Sequence, residues 1–189
     1  MRTDYIPRGT FDHLLAALMP ANRLAIETSL ATGLRIGDVL AMRTDQVRRG
    51  RWTLKEEKTG KRRQVRLPLG LQRDLLAQAG RVYVFEHRLD WKRHRTREAV
   101  YKDLRRAVDL FRLRRLVIAP HTARKIYAVS QYQNSGSLKK VAELLNHSDE
   151  AVTMVYAMAD ELTARKMRHG SRRGAGGVPQ LCERRQTSD

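Results

Sequence analysis

Apolar side chains recur at helical spacing over most of the chain, interrupted by one stretch of strict alternation. Leu14, Leu15 and Leu18 follow Thr10, a candidate N-cap, and Pro20 closes the run. Ile26 and Leu30 stand four apart in a second helix that stops at Gly33, a residue suited to a left-handed cap; Ile36, Val39 and Leu40 open a short third helix. The period then changes. Trp52 and Leu54, then Val65 and Leu67, alternate with polar residues on either side of KTGK, which predicts an antiparallel hairpin closed by Pro68. Beyond it, Leu71 to Ala79 reads as a helix ending at Gly80, and Val82 to Phe85 as a candidate strand. Val100, Leu104, Ala107, Val108 and Phe111 form the clearest helical stripe. Leu138, Val141, Ala142 and Leu145 make another behind the cap candidate Ser137, and Ser148, Asp149 and Glu150 begin the next helix. No internal repeat is visible. The expected class is α+β, mostly helical, with a small antiparallel sheet. Residues 1–169 are expected to form one domain and the Gly-, Arg- and Ser-rich residues 170–189 a flexible basic tail.

Charge changes this picture from a fold to a partner. The 189 residues carry 38 Lys plus Arg against 20 Asp plus Glu, a formal net charge of +18. The excess is concentrated between residues 51 and 119, in KTGKRRQVR, WKRHRTR and FRLRRL, where basic residues interleave with apolar ones. At 41% hydrophobic content the chain is too apolar for a disordered basic tail, so the charge belongs to a folded surface. Such a surface fits nucleic acid first and a membrane surface second. The lone Cys182 excludes an internal disulfide and a cysteine-based zinc site. Neither an apolar run of about 18 residues nor a signal-peptide core in MRTDYIPRGT is found. The expected location is the cytoplasm, with no membrane partner.

The usual supports of NTP hydrolysis, zinc chemistry and serine hydrolysis are missing, because no GxxxxGK[ST], HExxH or GxSxG occurs. Histidines 13, 87, 94, 121, 147 and 169 show no close metal-ligand spacing, so neither a metal nor another cofactor is expected. What remains is a scattered set. Arg35 follows a Thr-Gly turn in ATGLRIGDVL, Lys58 lies at the hairpin tip, His121 and Arg124 are three apart in PHTAR, His147 ends LLNH, and Tyr156 follows nine residues later. Taken singly, each has a bland reading: a surface arginine, a solubilising hairpin lysine, a helix-terminal histidine, a core tyrosine.

Together, in this order, the boxes resemble the tyrosine recombinase or phage integrase family. ATGLRIGDVLAM is similar to its first box, EEKTGKRRQVRLPL to its lysine hairpin, and PHTAR, LLNHS and TMVY to its second box. The resemblance spans residues 5 to 165, nearly all of the expected folded part, and implies that family's catalytic-domain fold. It further implies Arg35 and Arg124 as phosphate-binding arginines, Lys58 as the hairpin lysine, His121 and His147 as the two histidine positions, Tyr156 as the nucleophile and Asp38 as a supporting acid. Lys61, Arg62 and Arg63, with Lys92, Arg93, Arg95 and Arg97, are the expected DNA-binding cations. The implied partner is double-stranded DNA, engaged by a homotetramer on two sites, with a monomer compatible with the DNA-free state; the implied source is a bacterium, phage or mobile element.

The chemistry is consistent with such a set. Attack on a phosphodiester builds negative charge on non-bridging oxygens, which paired guanidiniums stabilise without a metal. A tyrosine of pKa about 10 must lose its proton as it attacks, for which His121 is the candidate acceptor. The departing 5′ oxygen needs a proton, assigned to Lys58 with Lys61 as the fallback. A 3′-phosphotyrosine ester keeps the bond energy of the cut strand, so cutting and rejoining form one reversible cycle.

Some positions depart from the family pattern. Only about 30 residues precede Gly33, whereas longer members carry a separate helical domain there, so a catalytic domain alone is expected. Asn146 stands where glycine is usual, Ala123 where leucine is, and Lys125 where histidine is frequent. Rival readings are a helix-turn-helix DNA-binding module, with Leu138–Leu145 and Glu150–Tyr156 as its two helices, a type IB topoisomerase, and an RNA-associated structural protein.

Overall fold

The computed structural model describes residues 3–146. His147, Tyr156, the helix predicted from Ser148 and the predicted tail lie outside the described residues. Helix α1 spans Arg8–Ala16, α2 Pro20–Thr32, α3 Ile36–Leu40 and α4 Thr44–Arg49. Strands β1, Arg51–Lys55, and β2, Arg62–Arg66, follow, then α5, Leu69–Ala77. A second small hairpin pairs β3, Glu86–His87, with β4, Asp90–His94, before α6, Arg97–Leu110, α7, His121–Ser135, and α8, Leu138–Leu144. The fold class read from the sequence is the observed one.

The core gathers Phe11, Leu14, Ile26, Leu34, Leu104 and Ile126 from four helices and the turn after α2. α2 is the axis of the packing, lying against α1, α3, α5, α6 and α7. The stripe predicted at Val100, Leu104, Ala107 and Val108 is fully buried, while Phe111 sits at the end of α6 and is 43% exposed. The predicted antiparallel β1–β2 hairpin forms, with Trp52 opposite Val65 on its buried face. Ser137 caps α8 as expected, its hydroxyl accepting from Lys140 N. Among the described residues, no helix is long and apolar enough to cross a membrane.

Several boundaries moved for local reasons. Thr10 lies inside α1, and Pro7 occupies the N-cap, where a residue without an N–H costs no hydrogen bond. Pro20 starts α2 at its first position and does not merely end α1. Val82–Phe85 is not a strand. Val84 N donates to Met42 O and Thr44 N to Val82 O, so the apolar run is pinned to the link between α3 and α4 and buries Val84 and Phe85 in succession. The second hairpin forms just after it. Helix α7 had no apolar signature because it buries Thr122, Arg124 and Lys125 along with Ala123 and Ile126.

Candidate active site

The site begins at the turn between α2 and α3. Gly33 ends α2 at φ 66°, a left-handed conformation that glycine adopts without Cβ strain. A Cβ there would also lie 2.5 Å from the Tyr127 ring, so the close approach of α7 demands glycine independently. The carbonyls of this turn are taken by arginines. Arg63 Nη2 donates to Thr32 O at 2.9 Å, and Arg124 Nη1 to Gly33 O at 2.7 Å. The chain then leaves the turn through Leu34 and presents Arg35 as the N-cap residue of α3.

The hairpin forms the second wall. Its turn brings Glu56, whose side chain is fully buried, under Arg35, and Arg35 Nη1 donates to Glu56 Oε2. Thr59 Oγ1 donates to the same oxygen at 2.8 Å, and Arg63 Nη1 stands 3.9 Å from Oε1. Asp38, one helical turn beyond Arg35, accepts from Glu57 N at 3.0 Å through Oδ1. Gly37 allows this approach, since a Cβ would stand 3.1 Å from Glu57 Oε2. Two polar links, Arg35 to Glu56 and Glu57 N to Asp38, therefore tie the segment around Lys58 to α3, and Thr59 braces Glu56 within the turn. The two acids respond oppositely. Burial pushes the Asp38 carboxyl above the usual carboxylate range, reinforced by the neighbouring Glu56 charge and opposed by the Glu57 N–H, Arg35 and Arg124. Burial would raise Glu56 as well, but the hydrogen bonds from Thr59 and Arg35 and the charges of Arg35 and Arg124 carry it below that range.

The third wall is the start of α7. His121 is its first residue and is exposed; Arg124, one turn on, is completely buried. Besides Gly33 O, Arg124 reaches Leu145 O through Nη2 at 2.7 Å, linking the α2–α3 turn to the end of α8. At that end Asn146 takes φ 55°. Asparagine is among the few residues other than glycine that adopt this region routinely. Lys125 turns the other way and donates to Thr3 O, tying the start of the chain to α7.

Between the three walls lies a cavity of about 410 Å³, lined by Arg35, Asp38, Lys58, Arg97, His121 and Arg124 among others. Arg35 and Arg124, 89 positions apart in sequence, thus share one concave, positively charged space. Other predicted cations are placed differently. Lys61, Arg62, Lys92 and Arg93 are exposed, whereas Arg63 and Arg95 point inward. Strand alternation puts Arg63 on the buried face of the hairpin beside Glu56, and Arg95 Nη1 donates to Asn22 Oδ1 at 3.2 Å. Neither is an outward DNA-facing cation. Glu56 is not among the site residues expected from the sequence. The available signal was a pair of acids, Glu56 and Glu57, opening an otherwise basic turn. His147 and Tyr156 lie outside the described residues.

The Phage integrase family profile matches residues 10–162. The chain is 30% identical over 147 residues to "Tyrosine recombinase XerD" of Lacticaseibacillus casei, covering 71% of this chain and 49% of that protein. It is 29% identical over 147 residues to "Probable integrase/recombinase YoeC" of Bacillus subtilis (strain 168), covering 71% and 75%. It therefore spans about half the length of the XerD relative. The fold is shared with the catalytic domain of bacteriophage HP1 integrase, at TM-score 0.61 and 22% identity over 84% of this chain and 89% of that one. It is shared also with a lambda integrase dimer bound to a COC′ core site, at TM-score 0.68 and 20% identity over 83% and 60%. With the family profile covering most of its length and the same fold beneath it, the chain belongs to the phage integrase family.

Proposed function

We propose that this chain is the catalytic domain of a tyrosine-type site-specific recombinase, which cleaves and rejoins duplex DNA through a 3′-phosphotyrosine intermediate on Tyr156. The observation that carries the reading is the single cavity lined by Arg35, Lys58, His121 and Arg124. Arg35 presents its guanidinium to the scissile phosphate while the buried Glu56 fixes one of its nitrogens. Arg124 contributes a desolvated positive charge to the cavity floor, and its own two carbonyl contacts keep that charge in place. In the cleavage step the Tyr156 oxygen bonds to phosphorus as the phosphorus–5′-oxygen bond breaks. The phenolic proton passes to a base, for which His121 is the candidate, and Lys58 gives a proton to the departing 5′ oxygen. A 5′ hydroxyl attacking the phosphotyrosine reverses the sequence and restores the phenol. Asp38 supports the site by holding Glu57, next to Lys58, against α3. Exchange between two duplexes requires four protomers, so the acting assembly is a homotetramer on DNA.

The test is a nicked suicide duplex carrying candidate attachment sequences, incubated with the protein and resolved on a denaturing gel. A covalent adduct that disappears in Tyr156→Phe is the expected result. Tight, salt-sensitive binding with no adduct from the wild type on any of these duplexes would overturn it in favour of a DNA-binding module without chemistry.

A further inference from the structure

The β1–β2 hairpin has a second face that the proposed chemistry does not use. Trp52, Leu54, Arg63 and Val65 occupy the inner face, and the outer face carries the alternate residues of both strands. There Arg51 stands opposite Arg66, Thr53 opposite Gln64, and Lys55 opposite Arg62, all six exposed. Directly opposed residues on an antiparallel pair hold their Cβ atoms about 5 Å apart, and like charges so placed repel. This small sheet carries two such pairs on one face. Among the described residues, no carboxylate forms an ion pair with any of the four cations. Elsewhere the chain does neutralise exposed arginines, as in Arg8–Asp12, Arg23–Glu27 and Arg49–Asp45.

A surface that keeps four uncompensated cations in register is arranged for an external polyanion. The two pairs are separated by four strand residues, about 13 Å. Measured along the axis of duplex DNA, a track of that length covers about four base-pair steps of 3.4 Å. At the Arg51–Arg66 end the face opens into a cleft of about 650 Å³, with Arg49 and Gln72 on its far side. The cleft shares no residue with the cavity of Arg35 and Arg124.

We infer that the outer face of the β1–β2 hairpin, through Arg51, Lys55, Arg62 and Arg66, is a phosphate-binding track for duplex DNA, separate from the cleavage cavity. It rests on the proposed function only in taking DNA as the polyanion. The track adds grip without reading sequence, because guanidinium–phosphate contacts are indifferent to the base.

The experiment measures affinity for a fluorescent duplex across a salt series, with the full chain and its Arg51→Gln/Arg66→Gln and Arg51→Lys/Arg66→Lys variants. Each lost phosphate contact flattens the plot of log affinity against log salt by about 0.9, so the Gln pair lowers the slope by about 2 and the Lys pair leaves it near wild type. The Gln pair should melt at the same temperature as wild type or higher, since it relieves a repulsion. An unchanged slope would overturn the inference. So would a fall in melting temperature, which would make these arginines props of the fold, or a loss confined to folded RNA. Failure of the adduct assay leaves this measurement intact, because the slope reports the hairpin face whether or not Tyr156 becomes joined to a DNA 3′ phosphate.

Discussion

The two walls that face each other across the cavity are held by different physics. The α7 wall rests on Arg124, completely buried, whose terminal nitrogens donate to the carbonyls of Gly33 and Leu145. The hairpin wall rests on side-chain links, Arg35 to Glu56, Thr59 to Glu56, and Asp38 to Glu57 N, at the rim of a solvent-exposed turn. Carbonyls buried in a fold have no alternative partner, so the first wall is fixed as part of folding. The second is an arrangement of charges that an incoming phosphate can compete for, since Arg35 is the group proposed to bind it. The cavity thus pairs a wall set by the core with one set by electrostatics.

Removing the fixed wall should cost most. Arg124→Ala strips donors from two buried carbonyls, each loss worth about 1–3 kcal/mol, so a destabilisation of about 3–5 kcal/mol is expected by chemical denaturation. A loss below about 1 kcal/mol would mean that this wall is no firmer than the other. The turn that Arg124 holds comes next. Gly33→Ala puts a Cβ at positive φ and into the Tyr127 ring, for an expected cost of about 2–3 kcal/mol. Adding Tyr127→Ala should make the glycine substitution cheaper, and strict additivity of the two would remove the steric explanation.

The hairpin wall should respond least and with a pH signature. Because Arg35 and Arg63 keep 19% and 14% of their side chains exposed and can rehydrate, Glu56→Gln is expected to cost only about 1–2 kcal/mol at neutral pH. The Glu56 carboxyl is depressed in the folded state, so its contribution is present above the ordinary carboxylate pKa of about 4.3. It is lost as pH falls through the folded value below that. The gap between wild type and Glu56→Gln should therefore close on acidification. Asp38 has the opposite sign: its raised pKa makes the ionised form unfavourable, and protonation as pH falls toward the usual range stabilises the fold. Asp38→Asn should accordingly be neutral or stabilising at pH 7, and denaturation midpoints across pH 3–7 would separate the two acids.

Much of this molecule was legible in the chain. The β1–β2 hairpin followed from alternation around KTGK, the α6 stripe from its 3.6-residue period, and the stop at Gly33 from the one residue type that turns there freely. The candidate site could be assembled in outline because box order places Arg35, Lys58, His121 and Arg124 on elements that pack together. Less legible were the features in which polar groups are buried. Helix α7 hid behind its buried Arg124 and Lys125, and the strand expected at Val82–Phe85 became a turn because backbone bonds to Met42 and Thr44 claimed it.

By itself, then, the sequence determined the helical periods, the hairpin and its two faces, the basic surface and the set of reactive side chains, because these depend on residue type and short-range spacing. Only the tertiary structure decided which charges face inward. Arg63 and Glu56 sit beside the exposed Arg62 and Glu57 in the chain, yet alternation and the approach of α3 bury the former pair and leave the latter outside. Burial is a property of the neighbours a side chain acquires across the fold, and here it separates the charges that build the cavity from those left to meet a partner.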